Sequence, residues 1–321
     1  MNEDLSNIHK CQELAEDETT APEILARLAQ DTNPDIRESV ARNKNAPIEI
    51  LRMLAEDKHC SVRWTVAENI NTPVDVLYML TIDKDGSVRS SVAENPNTSV
   101  KILCKLAEDE DHNVRMSVAN NANTPAEVLR KLAKDADRFV RVGIATNKSA
   151  PAEILHELAE DEDSGVQYCV AENSGTPTDV LCKLAEDRYY SIRIGVARNN
   201  NTPADVLCKL AEDKNEFVRE YAAYNVNTPA KNLCCLAEDL YPGVRTGVAY
   251  NIKAPAKVLY KLAEDKDRDV RCMVAGNDCA PAEVLHKLTK DTDRYVRETA
   301  GLTLCRFSDS RSRTPEPDIV T

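Results

Sequence analysis

The chain of 321 residues carries a net charge of −13, and only 4 % of its residues are aromatic. That charge excludes a general affinity for nucleic acid or for an anionic membrane surface, both of which attract basic proteins. No stretch approaches the run of about 18 apolar residues that crosses a bilayer, and the N-terminus MNEDLSNIHK has neither the basic start nor the apolar run of a signal peptide.

Residues 1–20 are expected to form a partial capping repeat. Leu14-Ala15-Glu16-Asp17 matches the end of a first repeat helix, with the second helix missing before Ala21-Pro22. From there one pattern returns every 26 residues in eleven copies, from Pro22 to the copy that starts at Pro281. Thr124–Asn147, TPAEVLRKLAKDADRFVRVGIATN, shows it cleanly. The spacing predicts an all-α solenoid of two-helix repeats over residues 21–305. The pattern degenerates at Gly301-Leu302-Thr303-Leu304, as a terminal cap does, and residues 306–321 are polar and expected to be a disordered tail.

Within a repeat, Thr is expected to cap the first helix, with Pro at the first helical position. An acid three residues later, as in Thr124 and Glu127, completes a capping box. On the outer face of that helix the acid is expected to pair with a lysine one turn on, as Glu127 with Lys131. The second helix carries a small residue, such as Gly143, Gly195 or Gly247, that permits close approach between neighbours. Asn43 and its equivalents are expected to end the second helix in a left-handed cap and to bond turn backbone. Both helices are expected to span about ten residues, too few to be stable alone, so neighbouring repeats must support one another.

The recurring T-P-x-E-V-L-x-x-L-A-x-D-x-x-x-x-V-R-x-x-V-A-x-N resembles the repeat of the leucine-rich repeat variant family, and more loosely the HEAT-like group. The likeness runs from residue 22 to about 303. It implies a right-handed superhelix of short helices without a sheet. Some relatives carry an N-terminal cysteine cluster that binds iron and sulfur. Cys11 is the only cysteine in the first 59 residues here, so no such cluster is carried over.

The recurring polar residues argue against catalysis, because a catalytic group is unique. Asp57, Asp109, Asp135 and Asp213 share one repeat position, and Arg63, Arg115, Arg141 and Arg219 another. They are expected to bridge loops and neighbouring repeats, with Gln167 interrupting the arginine row and marking a local bend. Cys104, Cys182, Cys208 and Cys234 line up in register, but stacked helices sit about 8–10 Å apart, too far for one zinc ion or a disulfide. His156-Glu157 is the only His-Glu pair, too few for a di-iron repeat hydroxylase. No enzyme activity, metal or cofactor is expected. The eleven cysteines, without a secretion signal, suit a cytoplasmic protein.

The outward face of the first helix is a monotonous alternation of acids and lysines. The outward face of the second helix varies from copy to copy and carries most of the stray aromatics. Trp64, Met116, Phe139, Tyr168, Tyr190, Ile194, Phe217, Tyr224 and Tyr250 lie there, and such residues are enriched at interfaces. Acids outnumber bases on this face, nine to five. The expectation is therefore a non-catalytic scaffold, monomeric, that binds a protein or peptide, with basic residues a natural complement. Two alternatives are a nucleic-acid-binding protein of the HEAT-like DNA-repair type, which would need a basic face, and a metal or redox protein using the thiols.

Overall fold

The structure is a computed structural model and describes residues 8–311. Residues 1–7 and 312–321, parts of the expected cap and tail, lie outside the described residues. Among the described residues there are 23 helices and no strand. None of these helices is long and apolar enough to cross a membrane.

The first helix of each repeat has seven residues, as in Ala126–Leu132, and the second has nine in every copy but the last, as in Arg138–Thr146. The first helix is shorter than the periodicity suggests, because from the second repeat on the Pro, or Ser99, stays outside it; only Pro22 takes the first helical position. Pro125, Pro177 and Pro203 are themselves the N-cap residues, in extended geometry, and no side chain caps the helix that follows. The expected threonine cap is thus replaced. Thr124 Oγ1 donates to the carbonyl of Val118 at 2.6 Å, and Thr202 Oγ1 to that of Val196 at 2.6 Å. The hydroxyl faces backwards and adds a second donor to a last-turn carbonyl of the preceding second helix, which also accepts the Asn121 or Asn199 amide.

Side-chain capping belongs to the second helices instead. Asp85, Asp111 and Asp137 each accept from the amide two residues on, the usual role of an N-cap carboxylate.

The asparagines bond turn backbone as expected, but not in a left-handed conformation. Asn121 is extended at φ −69°, and no described residue has a positive φ. Its Oδ1 accepts from Asn123 N at 2.8 Å, while Nδ2 donates to Ala93 O at 2.6 Å in the previous repeat. Extended geometry is what lets one buried amide serve its own turn and its neighbour's backbone together.

The aspartates and arginines bridge repeats as read. Arg115 Nε and Nη2 grip Asp135 of the next repeat at 2.7 and 3.0 Å, while Nη1 donates to Asp109 O in its own loop at 2.8 Å. The lysines of the first helix also reach across repeats. Lys131 pairs with Glu108 of the preceding copy at 2.7 Å, in place of the pair with Glu127 on its own helix.

The chain forms two compact units, one ending at Val166 and the other beginning at Gln167. Within the first, Pro34–Arg42, Cys60–Glu68, Gly86–Glu94, His112–Asn120 and Arg138–Thr146 stack directly in that order. Within the second, Tyr190–Arg198, Glu216–Tyr224, Pro242–Tyr250, Arg268–Gly276 and Arg294–Arg311 do the same. Successive first helices approach less closely, so each unit closes towards its second helices. Glycine allows the tight side. A Cβ on Gly247 would lie 2.9 Å from Ala223 Cβ, and one on Gly143 3.0 Å from Ala119 Cβ. Leu, Val and Ala fill the space between layers, among them Val88, Val92, Leu103 and Leu106.

The ends depart from the sequence reading. The helix Ile8–Glu16 packs on Pro34–Arg42, and its Ala15 carbonyl accepts Asn43 Nδ2 at 2.8 Å, as Ala41 O accepts Asn69 Nδ2. It is therefore a second helix, not a first. Leu14-Ala15-Glu16 corresponds to Val66-Ala67-Glu68, and L-A-E matches the two helices about equally well. At the other end the last helix runs to Arg311, past the point where the tail was expected to begin.

Candidate partner-binding face

The first unit holds three of the expected contact residues, and it does not gather them. Trp64 and Met116 are half-buried on Cys60–Glu68 and His112–Asn120. The helix between them presents Ser90, whose buried hydroxyl has no hydrogen-bond partner. Phe139 is exposed, with the Arg138 guanidinium 4.6 Å from its ring centroid. A cleft of about 510 Å³ lies beside the second helices, lined by Thr65, Glu68, Ser91 and Glu94 and by none of the expected residues. Burial, and then the neighbouring Glu94, push the Glu68 carboxyl above its ordinary value.

The second unit brings Tyr168, Tyr224 and Tyr250 into one line. Arg198, on Tyr190–Arg198, pairs with Glu172 at 2.9 Å and donates to Tyr168 Oη at 3.1 Å. Its guanidinium lies 5.4 Å from the centroid of Tyr221, and Tyr221 stands 6.4 Å from Tyr224. Tyr224 is tilted against Tyr250 at 5.4 Å. A continuous line of aromatic and charged groups therefore crosses four successive second helices. Burial pushes the Tyr168 and Tyr224 hydroxyls up. Below the rings lies a cleft of about 420 Å³ lined by Arg198, Asn200, Glu220, Tyr221 and Tyr224. Ile194 is half-buried on the same face. Sequence reasoning missed Tyr221, because it occupies the position kept by Gly195 and Gly247 in neighbouring repeats. The departure from a small residue was the available signal.

A second feature runs along the helix starts. Tyr190 and Phe217 are exposed there, at 52 % and 48 %, and beside them stand Tyr189, Leu240 and Tyr241, the leucine 89 % exposed. Tyr189 and Tyr241 occupy the N-cap position of Tyr190–Arg198 and Pro242–Tyr250, and neither helix has a side-chain cap. The helix between them keeps Asn215, which accepts from Phe217 and Val218 amides. Arg188 stacks on Tyr189 at 4.5 Å and Arg219 on Tyr241 at 5.7 Å. These tyrosines were also missed, although each replaces the Asp or Asn of most other copies.

The first-helix face is less uniform than its sequence suggests. Tyr78 is exposed beneath Lys101 and Lys105, 5.1 and 5.0 Å from its ring, and Tyr260 donates to Glu283 at 3.2 Å. Among the described residues no group of three or more His, Cys, Asp or Glu is arranged to hold a metal ion, and no disulfide joins the cysteines.

No protein-family model matches the chain, and no curated protein matches it. Among solved structures it is similar to a leucine-rich repeat variant with a novel repetitive structural motif. The identity is 26 %, over 70 % of this chain and 88 % of that one, with a TM-score of 0.49. An engineered protein aligns over 94 % of both chains at 19 % identity and a TM-score of 0.30. A chain from a complex in which Kap95p binding induces the switch loops of RanGDP to adopt the GTP-bound conformation aligns over 88 % of this chain and 44 % of that one. The identity there is 11 % and the TM-score 0.40. The helical repeat architecture implied by the sequence resemblance is the one the chain forms.

Proposed function

We propose that this helical repeat protein is a non-catalytic, cytoplasmic scaffold, itself monomeric, that holds a protein or peptide partner against its second helices. The observation that carries the reading is the loss of two caps within the second unit. A polar N-cap stabilises a helix by about 0.5–2 kcal/mol over residues that cannot cap. Tyr189 and Tyr241 forgo that stabilisation and place aromatic rings in solvent, next to Tyr190, Phe217 and Leu240. The same rule is broken once in the first unit, at His59, and twice in the second, both times by an interface-prone tyrosine, which fits selection for contact over stability on that edge. The line from Tyr168 to Tyr250 continues the same face. Nucleic acid suits it poorly, since acids outnumber bases along this face, nine to five.

The test uses a photo-reactive phenylalanine analogue placed at Phe217 or Tyr250, with Glu212 on the first-helix face as the comparison. In extract from the native source, one partner species should cross-link from Phe217 and Tyr250 and not from Glu212. Equal labelling from all three positions would remove the proposed face. Tyr189→Asp with Tyr241→Asp should raise the melting temperature while the Phe217 cross-link disappears.

A further inference from the structure

Glu220 is a carboxylate for which the fold supplies no cation. It is half-buried on Glu216–Tyr224, and among the described residues it makes no ion pair and no hydrogen bond. Burial alone acts on it and pushes its carboxyl up. Two other repeats carry glutamate at the same position, and both are neutralised from their own helix. Glu38 pairs with Arg42 at 2.5 Å, four residues after it, and Glu298 with Arg294 at 2.7 Å, four residues before it. At Glu220 those two places are taken by Tyr224 and Glu216. The nearby Arg198 is engaged by Glu172 and Tyr168 and lies over Tyr221.

The surroundings suit an incoming cation. The cleft beside Glu220 is walled by Tyr221, Tyr224 and Arg198, whose charge Glu172 already meets, with Tyr250 tilted against Tyr224 at 5.4 Å. Aromatic faces attract ammonium and guanidinium groups, more strongly once water is excluded. Gly243 of the next helix leaves the carboxylate its room, since a Cβ there would sit 2.6 Å from Glu220 Oε2. That contact with the first turn of Pro242–Tyr250 also allows a purely structural role, in which the carboxylate faces a helix start.

We propose that Glu220, with Tyr224 and Tyr250, receives the guanidinium or ammonium group of a basic residue on the bound peptide, in place of the arginine that Glu38 and Glu298 find on their own helices. The inference rests on the partner-binding reading of this face and adds the chemistry of the ligand.

The test follows a fluorescein-labelled glycine–arginine repeat peptide by anisotropy against the full chain, beside the same peptide with citrulline for arginine. The arginine peptide should bind saturably and the citrulline peptide should not. Glu220→Gln should weaken binding roughly tenfold, the scale of one lost charge-assisted hydrogen bond. Glu212→Gln removes the same charge from the exposed first-helix face and should leave binding unchanged. Equal weakening by both substitutions, or no saturable binding to the natural chain, overturns the inference. So does a lower melting temperature for Glu220→Gln with unchanged peptide affinity, which assigns the carboxylate to the helix start. If the Phe217 cross-link persists through such a result, the docking face stands and only the cation site falls.

Discussion

Asn225 joins two repeats with one side chain. Its Nδ2 donates to Ala197 O at 2.7 Å and Asn199 O at 3.0 Å, and its Oδ1 accepts from Asn227 N at 2.9 Å. Asn225→Ala takes the side-chain partner from Ala197 O and Asn227 N, so it should cost about 1–3 kcal/mol in urea unfolding. Asn225→Asp should cost at least as much, because it sets a carboxylate oxygen against those carbonyls. The opposite sign is expected at the tyrosine caps, where Tyr189→Asp should gain about 0.5–2 kcal/mol. A polar residue at a helix boundary was legible in the sequence, but its partner was not. Thr124 sits next to a helix start in sequence and bonds the end of the previous helix in space. Which of two nearby backbone groups a hydroxyl chooses depends on how tightly the turn folds back, and spacing carries no record of that.

Helix on helix, the second-helix stack tolerates little added volume. Gly247→Ala would press Cβ to 2.9 Å from both Ala223 Cβ and Glu220 O. Backbone cannot give way as a flexible side chain would, so a loss of about 1–3 kcal/mol is expected. Gly301 is the comparison, since nothing lies within 4 Å of its would-be Cβ. Gly301→Ala should be neutral or stabilising by up to about 1 kcal/mol. Denaturation midpoints of the two variants check the pair. The need for small residues here was visible in Gly143, Gly195 and Gly247. Tyr221 fills the same position, with Arg198 of the preceding repeat over its ring, and Tyr224 on the same helix meets Tyr250 of the next repeat. Single-helix periodicity cannot show such a cluster.

Across the whole molecule the arginine–aspartate pairs make stability depend on acidity. At Asp57, Asp83, Asp109 and Asp135 in the first unit, and Asp213, Asp239 and Asp265 in the second, burial raises the carboxyl pKa. Hydrogen bonds from the paired arginine and a turn amide outweigh it, so each ends below its ordinary value. A group depressed in the folded state protects fully above its unfolded value and loses that protection as pH falls through the folded one. The urea midpoint should therefore hold steady from neutral pH down to about 5 and fall steeply below about 4, where unfolded carboxylates begin to protonate. A midpoint that rises on acidification would mean the pairs do not stabilise the array. The row breaks at Gln167, the residue at which the second unit begins.

Repetition alone determined the architecture, because a pattern returning every 26 residues can bury its apolar face only against its own copies. It also determined that Asp135 and Arg115 belong to the frame, since residues needed at every junction must recur at every junction. Tertiary structure decided the rest. It turned the threonines backwards, made the N-terminal helix a second helix, and brought Tyr168, Arg198, Tyr221, Tyr224 and Tyr250 into one line from four repeats. The physical reason is that contacts between repeats join residues twenty or more positions apart, at distances set by how closely the helices stack.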